Sequence, residues 1–275
     1  MSNVLSLDTE FLVFTANHNR YGVPHLNVVA VMDVPEHTCV PCMPPEMRGV
    51  IPFQEHGIPL FDLRTCFGEP PRARETEELV QTMALRKQDH INWLDKLKDE
   101  VFNGRPITVQ TNPHLCAFGK WYDRFHTDNL NLAAYMQRFD TPHQQIHQVA
   151  VQAAALIRDD RGKEAEELVH LTEKGLLTRL IDLFDGIGGQ IRQYMLEYAV
   201  VLKVEERLFA VAVDDINYFS RLHHIESHVP AGMTNADNDF VQAIGRYRED
   251  GKQEETDILL LDVGRIVHRE EAEAK

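Results

Sequence analysis

From Glu75 to Phe102 the chain runs without a glycine or proline, and Val80, Met83, His90, Leu94, Leu97 and Val101 recur mostly at three- and four-residue steps. That spacing lays one apolar face along a long helix. Asn103-Gly104-Arg105-Pro106 stops it. A second helix is expected to start with Asn112 as N-cap and Pro113 in the first position, where a proline sacrifices no hydrogen bond. A third is expected from Asp140 or Thr141, with Pro142 in the first position, to about Ile157. After the turn Asp159-Asp160-Arg161-Gly162, a fourth runs from Lys163 towards Arg192, with Leu177, Leu180, Ile181, Phe184, Ile187 and Ile191 on one side. Four helices joined by short loops predict an antiparallel bundle.

The ends of the chain follow a different grammar. Phe11, Val13 and Thr15 alternate with Leu12, Phe14 and Ala16, and further β-rich runs cover Asn27–Val34 and Gly57–Arg64, with Pro41, Pro44, Pro45 and Gly49 marking a loop between them. Beyond Tyr194, Tyr198–Val204 and Leu208–Val213 read as a hairpin and Asp257–Val263 as another strand, while Glu270–Lys275 reads as a solvated tail. The expected fold class is therefore α+β and multidomain: residues 1–72 strand-rich, 73–194 helical, 195–275 strand-rich. Neither flank holds enough strands to close a barrel alone, so a helical insertion into one β domain is favoured over three domains in a row.

Composition narrows the function classes. With 43 acidic and 28 basic residues among 275, the net charge is -15, without the basic stripe of a nucleic-acid binder. A 43% hydrophobic content can fill a core. The longest apolar stretch, Val149–Ile157, is short and broken by Gln152, so no membrane insertion is expected. Asp8 and Glu10 fall where the apolar core of a signal peptide would lie. Four cysteines without framework spacing suit a reducing compartment, and a cytoplasmic location is expected.

Within the helices, His90, Cys116, His143 and His147 stand out. His143 and His147 are i, i+4, on the face that also carries Ile146, Ala150, Ala153 and Ile157. His90 replaces an aliphatic residue in the first helix's apolar stripe, and Cys116 falls in the first turn of the second, where free N–H groups favour a thiolate. Three imidazoles and one thiolate would make a closed tetrahedral site for one Zn²⁺ per chain. The alternative is plain: among 14 histidines an i, i+4 pair arises by chance, and core histidines often bond a carbonyl. His114 competes as a ligand, although it and Cys116 do not share a helix face. Glu167 and His170 supply one Glu-x-x-His, but a di-iron bundle needs two such units and two more glutamates.

His90 with Trp93, then Asn112-Pro113-His114-Leu115-Cys116-Ala117-Phe118-Gly119-Lys120-Trp121-Tyr122, then His143-x-x-x-His147, resembles the chemoreceptor zinc-binding (CZB) domain over about residues 80–192. The resemblance implies a four-helix bundle holding one zinc through three His and one Cys, with Cys116 as a redox sensor of hypochlorous acid, or a site responsive to zinc itself. An oxidant can convert a metal-bound thiolate to sulfenic acid and loosen the site. Asn112 is then expected to orient a ligand histidine, and Trp121 with Tyr122 to pack over and shield the site.

The flanks resemble the CheW-like coupling domain of bacterial chemotaxis. Phe11-Leu12-Val13-Phe14, Tyr21-Gly22-Val23-Pro24, Val40-Pro41-x-x-Pro44, Arg48-Gly49-Val50-Ile51 and Pro59-Leu60-Phe61-Asp62-Leu63-Arg64 match its first half in order. Phe209-Ala210-Val211-Ala212-Val213-Asp214-x-Ile216 and Leu259-Leu260-Leu261-Asp262-Val263 match the second. The implied fold is a pair of five-stranded β-barrels, with the bundle in the loop between the halves. The implied partners are a chemotaxis histidine kinase and a chemoreceptor, and a homodimer through the bundle stays open. One departure stands out: Gln54-Glu55 occupies the place of an Arg-Gly pair whose arginine contacts receptors in the family.

Taken together these readings predict a non-enzymatic adaptor. A zinc hydrolase is the rival, but it needs an open coordination position and a general base, and no His-Glu-x-x-His is present. A passive adaptor whose zinc only staples the bundle is the third reading. Cys39-Val40-Pro41-Cys42 beside His37 lacks the second cysteine pair of a zinc ribbon. His223, His224 and His228 read as loop side chains.

Overall fold

The first apolar alternation becomes β1 (Glu10–Ala16), which turns through Asn17 and His18 into β2 (Asn19–Pro24). Both turn residues take positive φ, 45° and 64°, as a two-residue hairpin that follows the strand twist requires. β3 (Val28–Asp33), β4 (Met47–Phe53) and β5 (His56–Asp62) follow. After the helices come β6 (Tyr198–Val204), β7 (Arg207–Val213), β8 (Asp215–Arg221), β9 (His224–Glu226), β10 (Val241–Arg248) and β11 (Glu255–Leu261). This computed structural model describes residues 5–127, 129–227, 240–248 and 254–266. His228 and the tail Glu270–Lys275 lie outside the described residues.

The strands make two sheets, in the orders β8-β1-β2-β11-β10-β9 and β3-β6-β7-β5-β4. Each sheet takes strands from both ends of the chain. β1 pairs antiparallel with β8 and β2 parallel with β11, while β3 pairs with β6 and β5 runs parallel to β7. The chain accordingly divides into one unit of Met1–Arg74 with Leu196–Lys275 and another of Glu75–Met195. The first sheet has six strands rather than the five implied by resemblance, because the short β9 adds to β10 at Gly245↔Ile225. β4 forms despite Gly49, which read as loop punctuation. Its register shifts beside Gly49. There φ is 148° and an added Cβ would lie 2.3 Å from the Thr38 carbonyl oxygen, so only glycine lets that carbonyl approach.

The strand expected to run to Arg64 stops two residues earlier. Asp62 Oδ1 accepts from Thr65 N at 3.1 Å and caps the short helix α1 (Leu63–Cys66). The helical unit follows with α2 (Arg72–Phe102), α3 (Ala117–Tyr122), α4 (Leu130–Gln137), α5 (Asp140–Arg158), α6 (Gly162–Thr172) and α7 (Thr178–Tyr194). It therefore has six α-helices where periodicity predicted four. The expected second helix opens with a 3₁₀ turn, Pro113–Leu115, and is split into α3 and α4, and the fourth is divided by a π-helical turn, Glu173–Leu177. Leu94, Leu97, Phe118, Phe139, Ile146 and Leu180 fill its core. Among the described residues no helix is long and apolar enough to cross a membrane.

Candidate metal centre

His90 lies on the buried stripe of α2 between Met83 and Leu94, and His143 and His147 lie on the buried stripe of α5 with Ile146, Ala150 and Ala153. Cys116 reaches them by a local device. Asn112 Oδ1 accepts from His114 N at 3.0 Å and caps the Pro113–Leu115 turn. Cys116 then takes extended geometry (φ -71°, ψ 165°) as the N-cap of α3, its sulfur accepting from Gly119 N at 3.1 Å. A Cβ on Gly119 would lie 1.9 Å from the Pro113 carbonyl oxygen, so this tight approach admits only glycine.

The ligand atoms of His90, Cys116, His143 and His147 all lie within 4.8 Å of one another. The imidazoles are 3%, 5% and 1% exposed in chain order, and Cys116 is half-buried. Nδ1 of His90 lies 2.7 Å from the Arg86 carbonyl oxygen and Nδ1 of His147 lies 2.8 Å from that of Gln110. A nitrogen facing a carbonyl must donate, so each ring carries its proton on Nδ1 and turns the Nε2 lone pair inward. Both of those Nε2 atoms are buried without a hydrogen-bond partner. Burial pushes His90 down to about 4 and His143 down to about 3, the latter helped by its histidine neighbours. Burial also lowers His147 and raises the Cys116 thiol.

Neutral imidazoles with bare inward lone pairs, beside a thiol, fit a zinc ion. The cation would share the four donors, satisfy both orphaned nitrogens and favour loss of the thiol proton. His90, Cys116, His143 and His147 are the residues that would hold it. The fourth protein donor fills the position that a hydrolytic zinc leaves for water.

A family model described as the chemoreceptor zinc-binding domain matches residues 90–154. A second, described as the CheW-like domain, matches residues 10–90. The chain carries a CheW-like domain and a chemoreceptor zinc-binding domain. No curated protein matches it significantly. Among solved structures, the scaffolding protein TtCheW from Thermoanaerobacter tengcongensis aligns at 10% identity over 96% of this chain and 90% of its own, with a TM-score of 0.41.

The remaining expected residues are placed as follows. The side chain of Asn112 meets His114 N in the turn that presents Cys116. Trp121 packs on Phe125 and Phe118, with centroids at 4.8 and 6.0 Å, and Tyr122 donates to Asp140 Oδ1 at 2.6 Å. The tryptophan against a ligand ring is Trp93, 5.0 Å from His147, and its Nε1 donates to the same Gln110 carbonyl at 2.8 Å. Phe118 meets His90 and His143 edge-on. His114 turns to Asp123, with Nδ1 3.1 Å from the carboxylate. Cys39 and Cys42 are exposed and Cys66 is buried. His90, Cys116, His143 and His147 are the potential metal-holding group among the described residues. The Gln110 and Arg86 carbonyls and Gly119 were missed as site parts; a backbone carbonyl leaves no mark in sequence, whereas Phe118-Gly119 did lie within the quoted motif.

Proposed function

We propose that the protein is a cytoplasmic, non-enzymatic adaptor in which a zinc-binding bundle, residues 73–194, interrupts a CheW-like scaffold formed by residues 1–72 and 195–275. The four convergent donors, three buried imidazoles and a half-buried thiol, carry this reading. The interleaving of both chain ends in both sheets supports the insertion. Bound zinc would hold the Cys116 sulfur as a thiolate. Hypochlorous acid would oxidise that sulfur by two electrons, RS⁻ + HOCl → RSOH + Cl⁻, removing a donor and changing the packing around α3. The partners are a chemotaxis histidine kinase or a chemoreceptor. Gln54 and Glu55 are exposed at the β4–β5 turn, where the family places a receptor-contacting arginine, and a neutral–acidic tip favours a kinase or a more basic receptor surface.

The test is zinc per chain by elemental mass spectrometry, before and after stoichiometric hypochlorous acid, with Cys116→Ala in parallel. One zinc that oxidant releases only when Cys116 is present supports the sensor. Zinc retained regardless reduces the site to a staple, and a chain purified without zinc overturns the site.

A further inference from the structure

Glu100 is 4% exposed, lies near the end of α2 between Leu97 and Val101, and has no part in the donor set. Burial pushes its carboxyl up, but bonds from Thr108, with the Lys96 charge and the Val109 backbone, together hold the group below the usual range. The carboxylate accepts from Thr108 N at 3.0 Å and Thr108 Oγ1 at 2.5 Å. Its backbone carbonyl accepts from Arg105 N at 2.8 Å, so one residue grips the return loop twice. Lys96, 3.7 Å away and mostly exposed, is the cation beside it.

Two residues beyond Thr108, past the buried Val109, comes the Gln110 carbonyl that receives Trp93 Nε1 and faces His147 Nδ1. We infer that Glu100 is a positioning residue of the metal centre, fixing through Thr108 the Gln110 carbonyl that sets the tautomer and orientation of His147. The inference deepens the zinc reading and rests on it. A carbonyl that drifts leaves His147 Nδ1 without its acceptor, and the proton is then free to move to Nε2, where it blocks the metal. A residue that merely stapled the loop would alter stability and leave the imidazole alone.

The test uses the full chain with Glu100→Gln, Thr108→Val and Thr108→Ser. Zinc affinity is read by competition with a chromophoric chelator, and the His147 tautomer by ¹⁵N NMR of the metal-free protein. Glu100→Gln and Thr108→Val are expected to weaken zinc about tenfold and to add Nε2–H signal at His147, while Thr108→Ser, which keeps the hydroxyl, restores both. An unchanged tautomer and affinity in Thr108→Val overturn the inference, and that variant decides alone if Glu100→Gln does not fold. A wild-type chain that binds no zinc overturns the zinc reading, and the metal-free tautomer measurement then still decides whether Glu100 orients His147.

Discussion

The Sγ of Cys116 lies 3.2 Å from Nε2 of His143 and also 3.2 Å from the Pro113 carbonyl oxygen. The thiol donates to that carbonyl, and no hydrogen-bond partner reaches Nε2 of His90 or His147. The metal-free centre is therefore a set of unmet demands, each costing roughly 1–3 kcal/mol. Zinc meets them together, so chelation is expected to lower the melting temperature of the helical unit. At free zinc 100-fold above Kd the difference is about 2.7 kcal/mol. Thermal melts with and without chelator check this; superimposable curves would remove zinc from the account of stability.

Gly119→Ala is expected to damage the centre without touching a donor. The new methyl would stand 1.9 Å from the Pro113 carbonyl oxygen. The turn must open, and opening carries Gly119 N away from the Cys116 sulfur. Overpacking of this kind costs about 1–3 kcal/mol, and zinc affinity should fall at least tenfold, as for loss of an outer-shell partner. Chelator competition on the purified variant measures it; wild-type affinity would show that the turn does not place Cys116.

His90, His143 and His147 were legible because each breaks an apolar stripe at helical spacing, a contradiction that a shared cation resolves. What orients them was not legible. Arg86 and Gln110 act through backbone carbonyls, which every residue has, and Trp93 becomes a partner of His147 only once the return loop folds back. Among the strands, β8 (Asp-Ile-Asn-Tyr-Phe-Ser-Arg) is mostly half-buried or exposed and gave no clear alternation. β4 was hidden by a glycine that serves one close approach. The helix count went astray at two places: α3 ends at Tyr122 and Asn129 caps a new helix, α4, and a π turn divides the last long periodic run without disturbing its apolar face.

Glu197 gives a pH signature in the β unit. Burial raises its carboxyl pKa; Arg48, 2.8 Å away, pulls it down, while Asp62 and Asp214 push it up, and the net shift is upward. A raised carboxyl contributes stability that is fully present below the unfolded value near 4.5 and is lost as pH rises through the folded value. Glu197→Gln mimics the protonated form. Wild type and variant should therefore match in urea midpoint near pH 4, and the variant should gain on wild type as pH rises to 7. Arg48 also lies 3.5 Å from Asp62, a partner that the substitution leaves in the sequence. A difference independent of pH would contradict the assignment.

Asp214 joins the ends of the β unit through charge. Arg64 grips it with Nε at 2.7 Å and a terminal nitrogen at 2.6 Å, Arg72 approaches at 3.3 Å, and Asn17 N donates to it at 2.9 Å. Arg64 and Asp214 are 6% and 7% exposed, so water cannot replace the carboxylate. Asp214→Asn takes the carboxylate from the buried Arg64 guanidinium and should cost about 3–5 kcal/mol, far more than a surface pair. Adding Arg64→Met removes the buried charge that Asp214 no longer neutralises, so the double variant should unfold at higher urea than Asp214→Asn alone. That order separates a buried ion pair from ordinary polar packing: additive losses in the double variant would mean that the two residues stabilise the sheets independently.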